Sequence, residues 1–157
     1  MEIEKTIEAF NSLIVINNDR IEGYKTAEAE ADETDLKMLF SDLMQTSVQN
    51  RKELVDEVVR LGGTPDEGTR ITGKFFRVWM DVKAAITGNN RKAILESCLY
   101  GEEVALKNYK DVLIQDHQDT NSKEQDLLNK HYALIKADHD RVKELIEAIE
   151  HEKRLTE

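Results

Sequence analysis

The amino-acid sequence predicts an all-α fold: a bundle of four long helices with a shorter helix in the connection between the second and the third. Apolar residues recur at three- and four-residue intervals in long segments, which is the periodicity of amphipathic helices. The chain has one proline and seven glycines, too few for a turn-rich sandwich or barrel. Charged residues make up 34% and aromatic residues 6%, as is typical of helices with solvated outer faces. A length of 157 residues fits one domain with a sizeable core, covering residues 1–157.

Charge and composition exclude several classes of partner. The formal net charge of −10 disfavours nucleic acids and anionic membranes, since both are bound through clustered Lys and Arg. No segment approaches the ~20 apolar residues that span a bilayer, and the first residues lack the apolar region of a signal peptide. The lone Cys98 cannot form an internal disulfide, which fits a reducing compartment. We therefore expect a cytoplasmic protein with no nucleic-acid or membrane partner.

The first half of the chain predicts a helical hairpin. One helix is expected over residues 3–31 and the next over residues 35–62, joined by a polar turn that offers N-cap residues. Gly62 and Gly63, followed by Pro65, form a typical helix end with a breaker behind it. Because the joining turn is short, we expect the two helices to be antiparallel neighbours.

The second half predicts another hairpin. Its helices are expected over residues 91–116 and 122–153, with fraying beyond 153. Ser122 and Gln125 have the spacing of a capping box, which marks the start of the last helix.

A shorter helix is predicted between the two hairpins, over residues 71–87. Its apolar residues fall on one helical face: Ile71, Phe75, Val78, Trp79, Val82, Ala85 and Ile86. This face packs against the side of the bundle in one interpretation. In the other, the Trp79 helix is an interface for a second copy of the chain or for a protein partner, and both can hold at once.

Polar residues interrupt the apolar stripe of each long helix. They are Asn17 in the first helix, Ser47 and Asn50 in the second, Glu102 in the third and His139 in the fourth. Antiparallel pairing places residue 17 level with residues near 48, and residue 102 level with residues near 137, so the interruptions form one central polar layer. A buried carboxylate needs a donor or a cation, and His139 is the expected partner of Glu102. The layer is either a hydrogen-bonded network that fixes register or a site for a metal or small ligand.

The residues that surround Glu102 resemble the ferritin-like superfamily. Gly101, Glu102, Ala105 and Tyr109 follow the G-E-x-x-A-x-x-x-Y pattern, which is similar to the rubrerythrin-type helix whose Glu bridges two irons. The whole chain resembles a bacterial family of ferritin-like four-helix bundles. The segments that carry this resemblance are residues 18–25, residues 60–65, residues 101–109, and His139, Asp140 and Val142. The resemblance implies the ferritin topology, with its crossover between helices two and three, and no established activity.

Only part of a di-iron site is present by sequence. A full site takes a Glu from each of two helices and a Glu-x-x-His from each of the other two. Glu102 matches one Glu, whereas Asn17 stands at the equivalent place in the first helix and Lys136, not Glu, precedes His139 by three. The second helix contains no His. A degenerate site is therefore expected.

The leading hypothesis is a non-catalytic protein of unknown role without a cofactor. The alternative is an iron- or manganese-binding oxidoreductase or metal-handling protein, its site built from Glu102 and His139. Further carboxylates that would complete such a site are Glu22, Glu53, Glu57 and Asp138. Cys98 is expected to be a buried small hydrophobe, and Tyr24 and Tyr109 to be core residues with hydroxyls tied into the polar layer.

Overall fold

The computed structural model describes residues 3–68, 74–115 and 122–156, and all regular structure within these ranges is helical. The helices are α1 (Ile3–Glu30), α2 (Thr34–Arg60), α3 (Lys74–Thr87), α4 (Arg91–Gln115) and α5 (Ser122–Thr156). The all-α prediction is confirmed. The helix ends differ from the predicted ones in detail: α5 continues to Thr156 instead of fraying after 153. Residues 71–73 at the predicted start of the third helix, the turn at 116–121, and the side chains of Phe75 and Ser122 lie outside the described part of the chain.

Two antiparallel hairpins, α1–α2 and α4–α5, form the bundle. Asn11 near the start of α1 donates to the carbonyl of Thr64 just beyond α2, while Lys37 near the start of α2 donates to the carbonyl of Glu28 near the end of α1. The helix α3 lies in the connection between the hairpins and packs against α4 and α1.

The apolar core is divided into two clusters by a layer of polar residues. The first cluster draws on α1 up to Ile16, α2 around Leu54, α4 around Tyr109 and α5 up to Ile135. The second cluster draws on the opposite ends of the same helices, with members such as Tyr24, Phe40, Leu95 and Val142. Between them, each long helix places polar side chains at mid-height, so the polar layer crosses the centre of the bundle.

The end of α2 uses glycine for its backbone freedom. Gly62 has a φ of +86°, a left-handed conformation that L side chains rarely adopt. Its N–H donates to the carbonyl of Val59 at 3.0 Å, and the N–H of Gly63 donates to that of Val58 at 2.9 Å. These bonds satisfy carbonyl groups that a helix end leaves unpaired, as in the Schellman motif. At the start of α2, Glu33 occupies the N-cap without a side-chain capping bond.

The apolar face of α3 packs against the bundle. Val78 and Val82 are buried, and the edge of the Trp79 ring meets the Tyr24 ring with centroids 5.0 Å apart. Gly23 in α1 permits this approach, because a Cβ at that position would overlap the indole ring. Packing against the bundle is therefore observed for the described part of this helix.

No helix in the described part of the chain is both long enough and apolar enough to cross a membrane.

Candidate functional site at the centre of the bundle

Four of the five residues predicted for the central polar layer are fully buried. Asn17, Ser47, Asn50 and Glu102 have 0% exposure and lie between the two apolar clusters. The fifth, His139, lies nearer the surface, with its side chain 12% exposed.

A buried ion pair occupies the middle of this layer. The guanidinium of Arg20 donates from Nε to Oε2 of Glu102 at 3.0 Å and from Nη2 to Oε1 at 2.7 Å. Arg20 Nη2 also lies 3.2 Å from Oδ2 of Asp138, and Nη1 donates to the hydroxyl of Ser47. The Tyr24 hydroxyl donates to Glu102 Oε1 at 2.7 Å. One side chain of α1 is thus bonded to α2, α4 and α5.

The electrostatics of the centre follow from this geometry. Burial acts to lower the pKa of Arg20, but Glu102, together with Tyr24 and Asp138, outweighs it and raises the pKa above its ordinary value. Burial, reinforced by the charge of Glu102, raises the pKa of Tyr24. Burial also raises the pKa of Asp138, against the opposing effect of Arg20. The guanidinium therefore stays charged, and Glu102 is its main counter-charge.

Cys98 lies one helical turn from Glu102 and is fully buried. Burial, and then the charge of Glu102, raise the pKa of its thiol, so the thiol stays protonated and unreactive.

A second hydrogen-bonded chain runs from the centre toward the surface. Asn17 Nδ2 donates to the Tyr109 hydroxyl at 2.9 Å, which lies 3.1 Å from Nδ1 of His131. The other ring nitrogen of His131, Nε2, lies 2.9 Å from Oε1 of Glu53, and Lys130 donates to Oε2 of the same carboxylate at 2.8 Å.

This pattern fits a neutral His131 with its proton on Nε2. A carboxylate can only accept, so Nε2 donates to Glu53 and Nδ1 is left to accept from the Tyr109 hydroxyl. Burial lowers the pKa of His131, against the opposing effect of Glu53. Burial acts to raise the pKa of Glu53, but the bonds from Lys130 and His131 outweigh it and lower the pKa.

The expected pairing of His139 with Glu102 is wrong. His139 Nδ1 lies 2.9 Å from Asp140 Oδ1 and its Nε2 lies 3.6 Å from Glu103 Oε1, while Arg20 and Tyr24 surround Glu102. Its ring turns toward exposed carboxylates because it stands at the edge of the buried face of α5.

The further carboxylates named by the sequence do not gather around Glu102. Glu53 bonds to His131 and Lys130, and Glu57 bonds to Arg60. The Glu22 side chain lies toward solvent. Of this set, only Asp138 approaches the central pair, through its contact with Arg20. Within the described ranges, no three His, Cys, Asp or Glu side chains are grouped so that they could hold a metal ion.

Sequence reasoning missed Arg20 and His131. Arg20 lies three residues after Asn17 and four before Tyr24, which is the spacing of the same helical face, but the apolar Ile21 beside it fits that face equally well by periodicity. On α5, helical spacing from the buried Leu128 and Ile135 allows either His131 or Tyr132 to lie on the buried face. The structure buries His131 and leaves Tyr132 partly exposed.

The arrangement of the described helices is that of a ferritin-like helical bundle. A crystal structure described as ferritin-like, diiron-carboxylate proteins from Bacillus anthracis str. Ames matches with a TM-score of 0.65 and 17% sequence identity, over 92% of this chain and 96% of that chain. The sequence pattern of the family described as a domain of unknown function, DUF2383, matches residues 5–115, and the chain belongs to this family. A comparison with curated proteins gives no match.

Proposed function

We propose that this protein is a non-catalytic ferritin-like bundle whose centre is neutralised by a guanidinium group where a di-iron carboxylate protein holds metal ions. The observation that carries the proposal is the bidentate contact of Arg20 with both oxygens of Glu102, at 2.7 and 3.0 Å. The protein would act by binding other molecules and not by metal-dependent chemistry.

The donor set at the centre does not fit a pair of metal ions. Both oxygens of Glu102 already accept bonds, and the other side chains beside Arg20 include the neutral Ser47. A divalent metal ion about 4 Å from the guanidinium would be repelled by roughly 8 kcal/mol at an effective dielectric constant of about 20. The Bacillus anthracis structure is described as a diiron-carboxylate protein, whereas the buried carboxylate at the centre of this bundle, Glu102, is engaged by a guanidinium.

Elemental analysis tests the proposal. The protein would be purified from cells grown with added iron and manganese, and we expect less than stoichiometric metal in the unsubstituted chain. A Co²⁺ titration followed by visible absorption gives a second readout, in which we expect no ligand-field bands beyond the weak absorption of hydrated Co²⁺.

The alternative function, an iron- or manganese-binding oxidoreductase or metal-handling protein, predicts the opposite result. Stoichiometric metal that is lost in Glu102→Gln or His139→Ala would establish a metal centre and contradict the proposal. Glu96→Gln, at an exposed position of the same helix as Glu102, removes the same charge and is the control for an unspecific effect of charge on metal content. Metal that persists in all of these variants would place a metal site elsewhere in the chain and would equally contradict a metal-independent protein.

We also propose that association with a second copy, or with another protein, uses the outward side of α3. Met80 lies on this helix and is 51% exposed. Because Trp79 packs on Gly23, Met80→Ser tests the surface with less damage to the core than Trp79→Ser. Light scattering should show a smaller assembly for Met80→Ser, whereas Met38→Ser, at a 63% exposed methionine of α2, should leave the mass unchanged. An equal mass for both variants and the unsubstituted chain would exclude this side of α3.

A further inference from the structure

A groove of about 490 Å³ lies between α1 and α3, on the side of the bundle. Its apolar lining includes Gly23 and Ala27 from α1, and Trp79, Val82 and Ile86 from α3. Its volume falls in the range of ~300–1,000 Å³ that is typical of small-molecule sites, and such sites combine apolar and aromatic walls with a few polar groups.

The polar groups of the groove are mostly acidic. Asp19, Glu22, Glu30 and Glu67 are among its described lining residues, and Lys83 is the cation found with them. The Nζ of Lys83 lies 4.0 Å from Oε1 of Glu30, and both side chains are partly or largely exposed. Among the described lining residues, the exposed Glu22, Glu30 and Glu67 at the rim outnumber Lys83, and this excess of negative charge would attract a cation.

Charge complementarity decides between the occupants of such a groove. An anionic lipid or fatty acid would be repelled by the acidic rim. An uncharged apolar compound would contact the apolar walls of the groove but would make no favourable charge interaction with the acidic rim. A compound with an apolar body and a cationic end satisfies both parts of the groove.

We propose that this groove binds a small amphipathic ammonium compound, with its alkyl or aromatic body between α1 and α3 and its ammonium group at the acidic rim. This inference goes beyond the proposed function and does not depend on whether the centre of the bundle is free of metal.

The single tryptophan of the chain provides the assay, because Trp79 lines the groove. Octylammonium, octanol and octanoate share one chain length and differ in the charge of the end group. We expect saturable quenching or a spectral shift of Trp79 fluorescence with octylammonium, an affinity about fivefold or more lower for octanol, and the lowest affinity for octanoate. Equal affinities, or no binding of octylammonium, would overturn the proposal.

A double variant, Glu22→Gln with Glu30→Gln, tests the acidic rim. Both side chains are exposed, so the fold should be unaffected, and the variant leaves Lys83 without its partner Glu30. We expect octylammonium to bind the double variant at least about threefold more weakly and octanol to bind it unchanged. Glu8→Gln, at an exposed position of α1 outside the groove, is the matched control. Unchanged octylammonium affinity in the double variant would show that the cation binds elsewhere.

Discussion

Replacing Glu102 with Gln removes one charge from the centre of the bundle while keeping the shape of the side chain. The substitution leaves the guanidinium of Arg20, 1% exposed, with Asp138 as its remaining counter-charge at 3.2 Å. Removing one partner of a buried ion pair costs about 3–5 kcal/mol, because the other charge stays buried without full compensation. Since Asp138 offsets part of this loss, we expect Glu102→Gln to lower the free energy of unfolding by about 3 kcal/mol.

Urea denaturation followed by circular dichroism measures this loss directly. For a domain of this size, a loss of 1 kcal/mol corresponds to a fall of roughly 2–4 °C in melting temperature. The expected loss of about 3 kcal/mol should therefore lower the melting temperature by about 6–12 °C. Glu103→Gln is the matched control, because Glu103 is the next residue of α4 and its side chain is 55% exposed. We expect this control to stay within about 0.5 kcal/mol of the unsubstituted protein.

A double-mutant cycle with Arg20→Met isolates the pair. Glu102→Gln leaves Arg20 with Asp138 alone as counter-charge, and Arg20→Met leaves Glu102 buried without its cation. The double variant has neither charge of the Arg20–Glu102 pair, so it should lose less stability than the sum of the two single losses. A loss below about 1 kcal/mol for Glu102→Gln, together with additive effects in the cycle, would refute the assignment of a buried ion pair.

Three further outcomes follow from the packing and the pKa shifts. Gly23→Ala should displace the indole ring of Trp79, lower the free energy of unfolding by about 1–3 kcal/mol, and shift the tryptophan emission to longer wavelength. Gly62→Ala should cost about 1 kcal/mol by urea denaturation and Gly62→Asn less, because no atom crowds the position and only its left-handed backbone disfavours a side chain. Since burial lowers the pKa of His131, this residue's stabilising effect is present above its unfolded-state pKa of about 6.5 and is lost as pH falls through its lower folded-state value. The stability of the unsubstituted protein should therefore fall more steeply from about pH 7 to 5 than that of His131→Gln, and parallel profiles would show that His131 is not the group responsible.

The fold was predictable because helix periodicity and short turns fix most of it. Each hairpin has a short connection, so the position of a residue along one helix determines which residue of the next helix lies level with it. This placed residue 102 level with residue 137, and the structure brings Glu102 and Asp138 to the same guanidinium. The central position of the polar layer follows from the same register.

The partners within that layer were not predictable from periodicity alone. Spacings of three and four residues place two neighbouring positions near the edge of a buried face, as with Ile21 and Arg20 or with His139 and Asp138. Side-chain length then decides the outcome: Arg20 reaches from the edge of α1 to the middle of the bundle, and the shorter His139 does not reach Glu102. A charged residue at such an edge is ordinarily assigned to solvent, so only the need of the buried Glu102 for a counter-charge points to Arg20.

A buried ion pair is in itself weak evidence for stability, since apolar residues of similar volume often give an equally stable protein. We propose that its contribution here is specificity. The guanidinium of Arg20, on α1, bonds to Ser47 of α2, Glu102 of α4 and Asp138 of α5. One group therefore links all four long helices at the same level along the bundle axis. Apolar clusters above and below this layer do not discriminate strongly between neighbouring registers, whereas a shifted helix would leave a buried charge without its partner. An Arg20→Met, Glu102→Gln double variant as stable as the natural chain would be consistent with this proposal, in which the layer penalises the wrong alignment.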